Sequence, residues 1–232
     1  MIELFGLAIA EPMTVLTDLI LAAMSFYFGH VLYWHAKYHG KNNSYDKRYS
    51  QFWGIVFLFL GSASFLGAVA HGVPHMSGEY PVLRGAWPFT VMCMGMVSFY
   101  LLLTIAMEYF PRRRNIIFIL AYIKVLAFLV LMFGYPKKYF GEFQNVSFNL
   151  VILDYAPIMI LLLALNIKDI IQKKSPAAKK MVMGIVVSIL GTAVQISGFT
   201  IHQHLNHNDI YHLIQMVAIT LMFKAVTLKK LV

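Results

Sequence analysis

Cysteine is almost missing from this chain: Cys93 is the only one in 232 residues, which excludes an intramolecular disulfide and a cysteine-built metal cluster. Charge is scarce as well. Asp, Glu, Lys and Arg together make up 12% of the residues, where an ordinary soluble domain carries about 25%. With 59% hydrophobic residues, the chain lacks the polar surface to cover a water-soluble core, so a polytopic membrane protein is implied. A basic leader and a small-residue cleavage site are also lacking before the first apolar stretch, which keeps Glu11 and Asp18. That stretch is read as a retained helix, not as a secretory signal.

What is present is a run of apolar segments. Seven reach the roughly 20 residues that cross about 30 Å of hydrocarbon, near 12–35, 51–71, 86–109, 115–135, 146–167, 181–201 and 209–228. The expected fold class is all-α, a single seven-helix transmembrane bundle over residues 1–232. Lys37, Lys41, Lys47 and Arg48 follow the first span, Arg112 to Arg114 the third, and Lys168, Lys173, Lys174, Lys179 and Lys180 the fifth. Lys229 and Lys230 follow the seventh, while the alternate loops hold only Arg84, Lys137 and Lys138. Basic loops stay cytoplasmic, so the amino terminus is expected outside and the carboxyl terminus in the cytoplasm. The net charge of +9 then reflects topology and anionic headgroups, with no case for nucleic acid. Membrane lipids are the expected partners, in a membrane that the sequence does not name.

Polar residues inside such spans are costly and mark candidate sites. Asn206 to Gln215 brings a histidine-bearing polar run into the last span, and a cap at Asn208 or Asp209 would set Asn208 and His212 one above the other, with Gln215 a turn further. The second span carries Ser64, Gly67, Ala68 and His71 on one face before Pro74 and His75. By topology His71 and His212 emerge on the same side of the membrane. Asp18 lies about two turns into the first span, where it serves either a site or a plain hydrogen bond to Thr14 or to another helix. Gln195 sits just below the same surface, ahead of a loop with His202, His204 and His207. Taken singly, His71 reads equally well as an interfacial histidine bonded to a loop carbonyl, and His202 and His204 as solvated loop residues. Lys124 and Asp154 both reach mid-membrane, and a structural ion pair between the fourth and fifth spans is the economical reading.

Three of these stretches resemble the alkaline ceramidase and adiponectin receptor superfamily of seven-span membrane hydrolases. Residues 10–20 look like the Ala-Glu-bearing opening of the ceramidases' first span, Gly67 to His71 falls where the family has Ser-x-x-x-His, and Asn208 to His212 falls where it has His-x-x-x-His. The resemblance implies a zinc held by three histidines, with a serine and an aspartate that position or activate the attacking water. His71 and His212 then match zinc ligands, Asn208 stands in place of a histidine, Gly67 in place of the serine and Gly85 in place of the aspartate. Of the acidic residues with which the ceramidases bind calcium, only Glu11 is matched, which leaves calcium in doubt.

The function expected is a metal-dependent hydrolase of a lipid amide or ester, catalytically impaired by these replacements, or a relative that only binds lipid. Zinc needs three firm ligands and an open position. Candidate metal ligands are His71, His212 and His207, with His75, Asp209 and Asp18 within the same membrane face. Asp18 and Ser64 are the candidate catalytic side chains, and Asn208, Gln215 and Gln195 the candidate substrate contacts. Two other classes are weaker: a retinal-binding bundle rests on Lys224 alone, whose depth suits snorkelling, and a haem protein would use His71 and His212 as axial ligands. Neither accounts for the first span.

Overall fold

A computed structural model of the protein describes residues 2–4, 7–39, 44–72, 86–134, 143–202 and 205–229. Seven helices run through it: α1 (Pro12–His39), α2 (Ser44–Gly72), α3 (Ala86–Tyr109), α4 (Arg114–Gly134), α5 (Phe143–Lys173), α6 (Pro176–Ser197) and α7 (His207–Lys229). All seven are long and apolar enough to cross a membrane. This is a multi-pass membrane protein with the all-α seven-helix architecture expected. One addition was not read from the sequence, an antiparallel hairpin of β1 (Ile2–Leu4) and β2 (Leu7–Ile9) ahead of α1. It is tied down where the Ala10 amide donates to the Gly72 carbonyl at the end of α2.

The helices exist because the backbone has no other way to satisfy its N–H and C=O groups in hydrocarbon, and their ends are set by local chemistry. Ser175 caps α6 by accepting from the Ala178 amide, Pro176 takes the first-turn position where its missing N–H costs nothing, and Gly198 closes the helix at φ 67°. Span six therefore begins and ends several residues earlier than the apolar stretch 181–201 suggests. At α7 the cap is Asn206, whose side-chain oxygen accepts from the Asn208 amide (2.8 Å) and the Asp209 amide (3.3 Å). Asp209 reaches back to accept from the Asn206 amide at 2.8 Å. This reciprocal arrangement moves the cap from the expected Asn208 or Asp209 to Asn206, so that the helix begins at His207, without disturbing the Asn208–His212–Gln215 stripe.

Six helices close a ring in the order α1, α2, α3, α5, α6, α7, and α4 packs outside it, mainly on α3. The large buried cluster draws Leu32, Trp53, Ile105, Leu162, Ile185 and Val226 from those six helices. Outside the ring, α4 turns Ile116, Ile119, Ile123, Leu126, Val130 and Phe133 outward, an apolar face suited to lipid. The α1–α2 seam is the tightest: a Cβ on Gly54 would stand 2.9 Å from the Tyr33 backbone nitrogen, so glycine lets the two backbones approach.

Two polar networks brace the bundle away from its cavity end. At the basic end Glu108 accepts from Tyr49 (2.9 Å) and is paired with Lys229, while Asp169 pairs with Lys173 at 2.9 Å and accepts from Tyr109 at 3.3 Å. In the interior the expected pair is present, with Lys124 Nζ 2.5 Å from Asp154 Oδ1. Ser98 joins it, accepting from Lys124 at 2.6 Å and donating to Asp154 Oδ2.

Candidate functional site: a polar cavity at one end of the bundle

The cap at α7 and the threonines of α1 bring the candidate residues together. Thr14 donates to Asp209 Oδ1 at 2.8 Å, which locks the first turn of α7 against α1. One turn further, Thr17 Oγ1 lies 3.0 Å from His212 Nδ1, and Asp18 Oδ1 lies 3.3 Å from His212 Nε2. The imidazole is thus held from both nitrogens by consecutive residues of one helix. Asp18 does not take the hydrogen bond to Thr14 weighed from the sequence; its partner comes from another helix.

These groups open on a cavity of about 170 Å³ between the helices. Asp18 from α1, Ser64 and His71 from α2, Gln195 from α6, and His212 and Gln215 from α7 all line it, as does Asn208. Seven of the eight residues singled out from the sequence therefore line one cavity. The eighth, His207, is half-buried at the head of α7 and is not among the lining residues. His75, Gly85 and His204 lie outside the described residues. The remaining lining is largely apolar or aromatic, with Leu21, Leu60, Trp87, Met94, Tyr211 and Ile219.

The polar part of the lining is held in place. Gln195 Nε2 donates to Asn208 Oδ1 at 2.6 Å, and Gln215 forms a two-point clamp on Ser188, accepting at 3.0 Å and donating to the Ser188 carbonyl at 3.1 Å. His71 Nδ1 lies 3.3 Å from Glu11 Oε2, so the residue preceding α1 orients it. Gly67 gives the carboxylate room, since a Cβ there would stand 3.1 Å from Asp18 Oδ2. Thr14, Thr17 and Glu11 were missed as positioning residues, although Thr14, Thr17 and Asp18 recur at the three- and four-residue spacing of one helix face.

As placed, these residues do not fit the expected zinc. Among the described residues no three of His, Cys, Asp and Glu are grouped to hold a metal ion, and both nitrogens of His212 already face Thr17 and Asp18. Lys224 is exposed on α7 and does not line the cavity.

A seven-helix membrane protein with a cavity lined by polar and apolar residues is the class that fold and site define. Residues 13–230 match DUF6962, a family of unknown function, and the chain belongs to that family. No curated protein and no solved structure matches the chain.

Proposed function

We propose that the protein binds the polar head of a membrane amphiphile in this cavity, and that binding rather than turnover is its main activity. The observation that carries the reading is the mixed lining: amide, carboxylate and imidazole groups line the same cavity as Leu21, Leu60, Met94 and Ile219. Such a lining suits a lipid carbonyl or hydroxyl with the first carbons of its chain. The volume is close to that of cavities that hold a benzene-sized molecule, so a head enters and the tail stays among the helices or in the bilayer.

Hydrolysis of a lipid amide or ester is the second reading. It is favoured by the Glu11–His71 contact through Nδ1 in the same cavity as Ser64, a carboxylate-oriented imidazole of the kind that can accept a proton from water on its other nitrogen. With no three-residue metal group among the described residues, no step is assigned to zinc, and turnover is expected to be slow or nil. The concentration of basic residues at the other end supports a cytoplasmic carboxyl terminus and an outward-facing cavity.

The test is lipid extraction and mass spectrometry of purified wild type, His71→Ala and His212→Ala, with bound metal and hydrolysis of ceramides and acyl lipids assayed in parallel. A co-purifying amphiphile lost in His212→Ala supports binding. Identical lipid content in all three proteins removes this cavity from consideration.

A further inference from the structure

Four buried or half-buried carboxylates among the described residues share a feature that Asp18 lacks. Asp154 has Lys124 on one oxygen and Ser98 on the other. Asp169 has Lys173 and Tyr109, and Glu108 has Lys229 and Tyr49. Even Asp209, at a helix N-terminus, accepts from Thr14 on one oxygen and from the Asn206 amide on the other. Each of these four has both oxygens occupied, three of them by a lysine and a hydroxyl. Asp18 is 4% exposed, receives His212 on Oδ1, and has no hydrogen-bond partner on Oδ2 among the described residues.

That oxygen is buried beside Gly67, where a Cβ would stand 3.1 Å from it, and belongs to a side chain that lines the cavity. No lysine or arginine is among the lining residues. A buried carboxylate with no lysine or arginine beside it is costly in an apolar bundle, and Trp87 and Tyr211 also line the cavity, rings that favour an organic cation. We infer that the cavity is built for an amphiphile with a protonated amine at its head, the ammonium donating to the Asp18 carboxylate in the place that a lysine fills at Asp154, Asp169 and Glu108. The inference rests on the reading of the cavity as an amphiphile site and names the chemical class of its ligand. An alkyl portion of a few carbons then lies against Leu60, Met94 and Ile219.

The experiment compares hexylamine with 1-hexanol, at fixed pH and ionic strength, on the full-length protein in detergent, reading tryptophan fluorescence and thermal unfolding. Wild type is expected to bind the amine at least tenfold more tightly than the alcohol. Asp18→Asn should lose at least tenfold in amine affinity with alcohol binding unchanged. Gly67→Ala, which places a methyl over Oδ2 without removing the charge, should weaken the amine as well and keeps the test alive where Asp18→Asn fails to fold. Equal binding of amine and alcohol by wild type, or an amine preference that survives Asp18→Asn, overturns the inference while leaving amphiphile binding intact. Failure of both probes to bind wild type sinks the amphiphile reading and the inference together. Competition by sodium chloride alone, at the same ionic strength set with a bulky salt, would assign the place to an inorganic cation and likewise overturn it.

Discussion

Replacing Lys124 by methionine strands Asp154 against Ser98, with its side chain only 8% exposed and its Oδ1 stripped of a cation. Breaking one side of a buried pair costs about 3–5 kcal/mol, much of it the penalty on the charge left behind, and insertion scales put an isolated charge at the helix centre at about 2.5–3.5 kcal/mol. Lys124 is 26% exposed on its side chain, so the lower end, about 2–3 kcal/mol, is the expected loss for either Lys124→Met or Asp154→Asn. The double variant removes both charges and leaves Ser98 to bond a neutral amide, so its loss should fall below that of either single change. Reversible unfolding of purified protein in mixed micelles gives the four stabilities, and the expected coupling is at least about 2 kcal/mol. A double variant whose loss equals the sum of the two single losses would refute the pair as a compensated unit. The same pair fastens α4 to the ring, so protease nicking of the loops flanking α4 should rise in the single variants first.

Three further outcomes follow from the geometry. Gly54→Ala forces a methyl to 2.9 Å from the Tyr33 backbone and should cost about 1–3 kcal/mol, whereas Gly134→Ala meets no atom within 4 Å and should leave the unfolding midpoint unchanged. Asn206→Ala removes the α7 cap at a cost of about 0.5–2 kcal/mol and should also reduce co-purifying amphiphile, because the same turn holds Asp209 on Thr14; loss of stability with full ligand content would separate cap from site. A reporter fused after Val232 should be active only on the cytoplasmic side and one before Met1 only outside, and the reverse pattern would overturn the orientation drawn from the basic loops.

The spans were legible in the sequence because hydropathy alone demands them, but their ends were not. Apolar runs mark the part of a helix that lipid requires, and α2 begins at Ser44 and α5 ends at Lys173, beyond the apolar stretches 51–71 and 146–167. Depth was legible too: counting residues from the span ends put Lys124 level with Asp154, and His71 and His212 at one surface. Which partner a polar group takes was not. Asp18 turns to His212 rather than Thr14, because Thr14 is occupied by Asp209, and that depends on the rotation of α7 about its axis, which the Asn206 cap sets. His207 drew notice as one more histidine in a dense run, yet it sits at the first position of α7, away from the stripe formed by Asn208, His212 and Gln215.

The most direct measurement is an experimental density map of the protein purified in mild detergent with its native lipids. The account predicts continuous non-protein density in the cavity, with a polar end within hydrogen-bond distance of the Asp18 carboxylate and an apolar end along Leu60 and Met94. A cavity holding only ordered water, or one closed by the side chains of Trp87 and Tyr211, would contradict it.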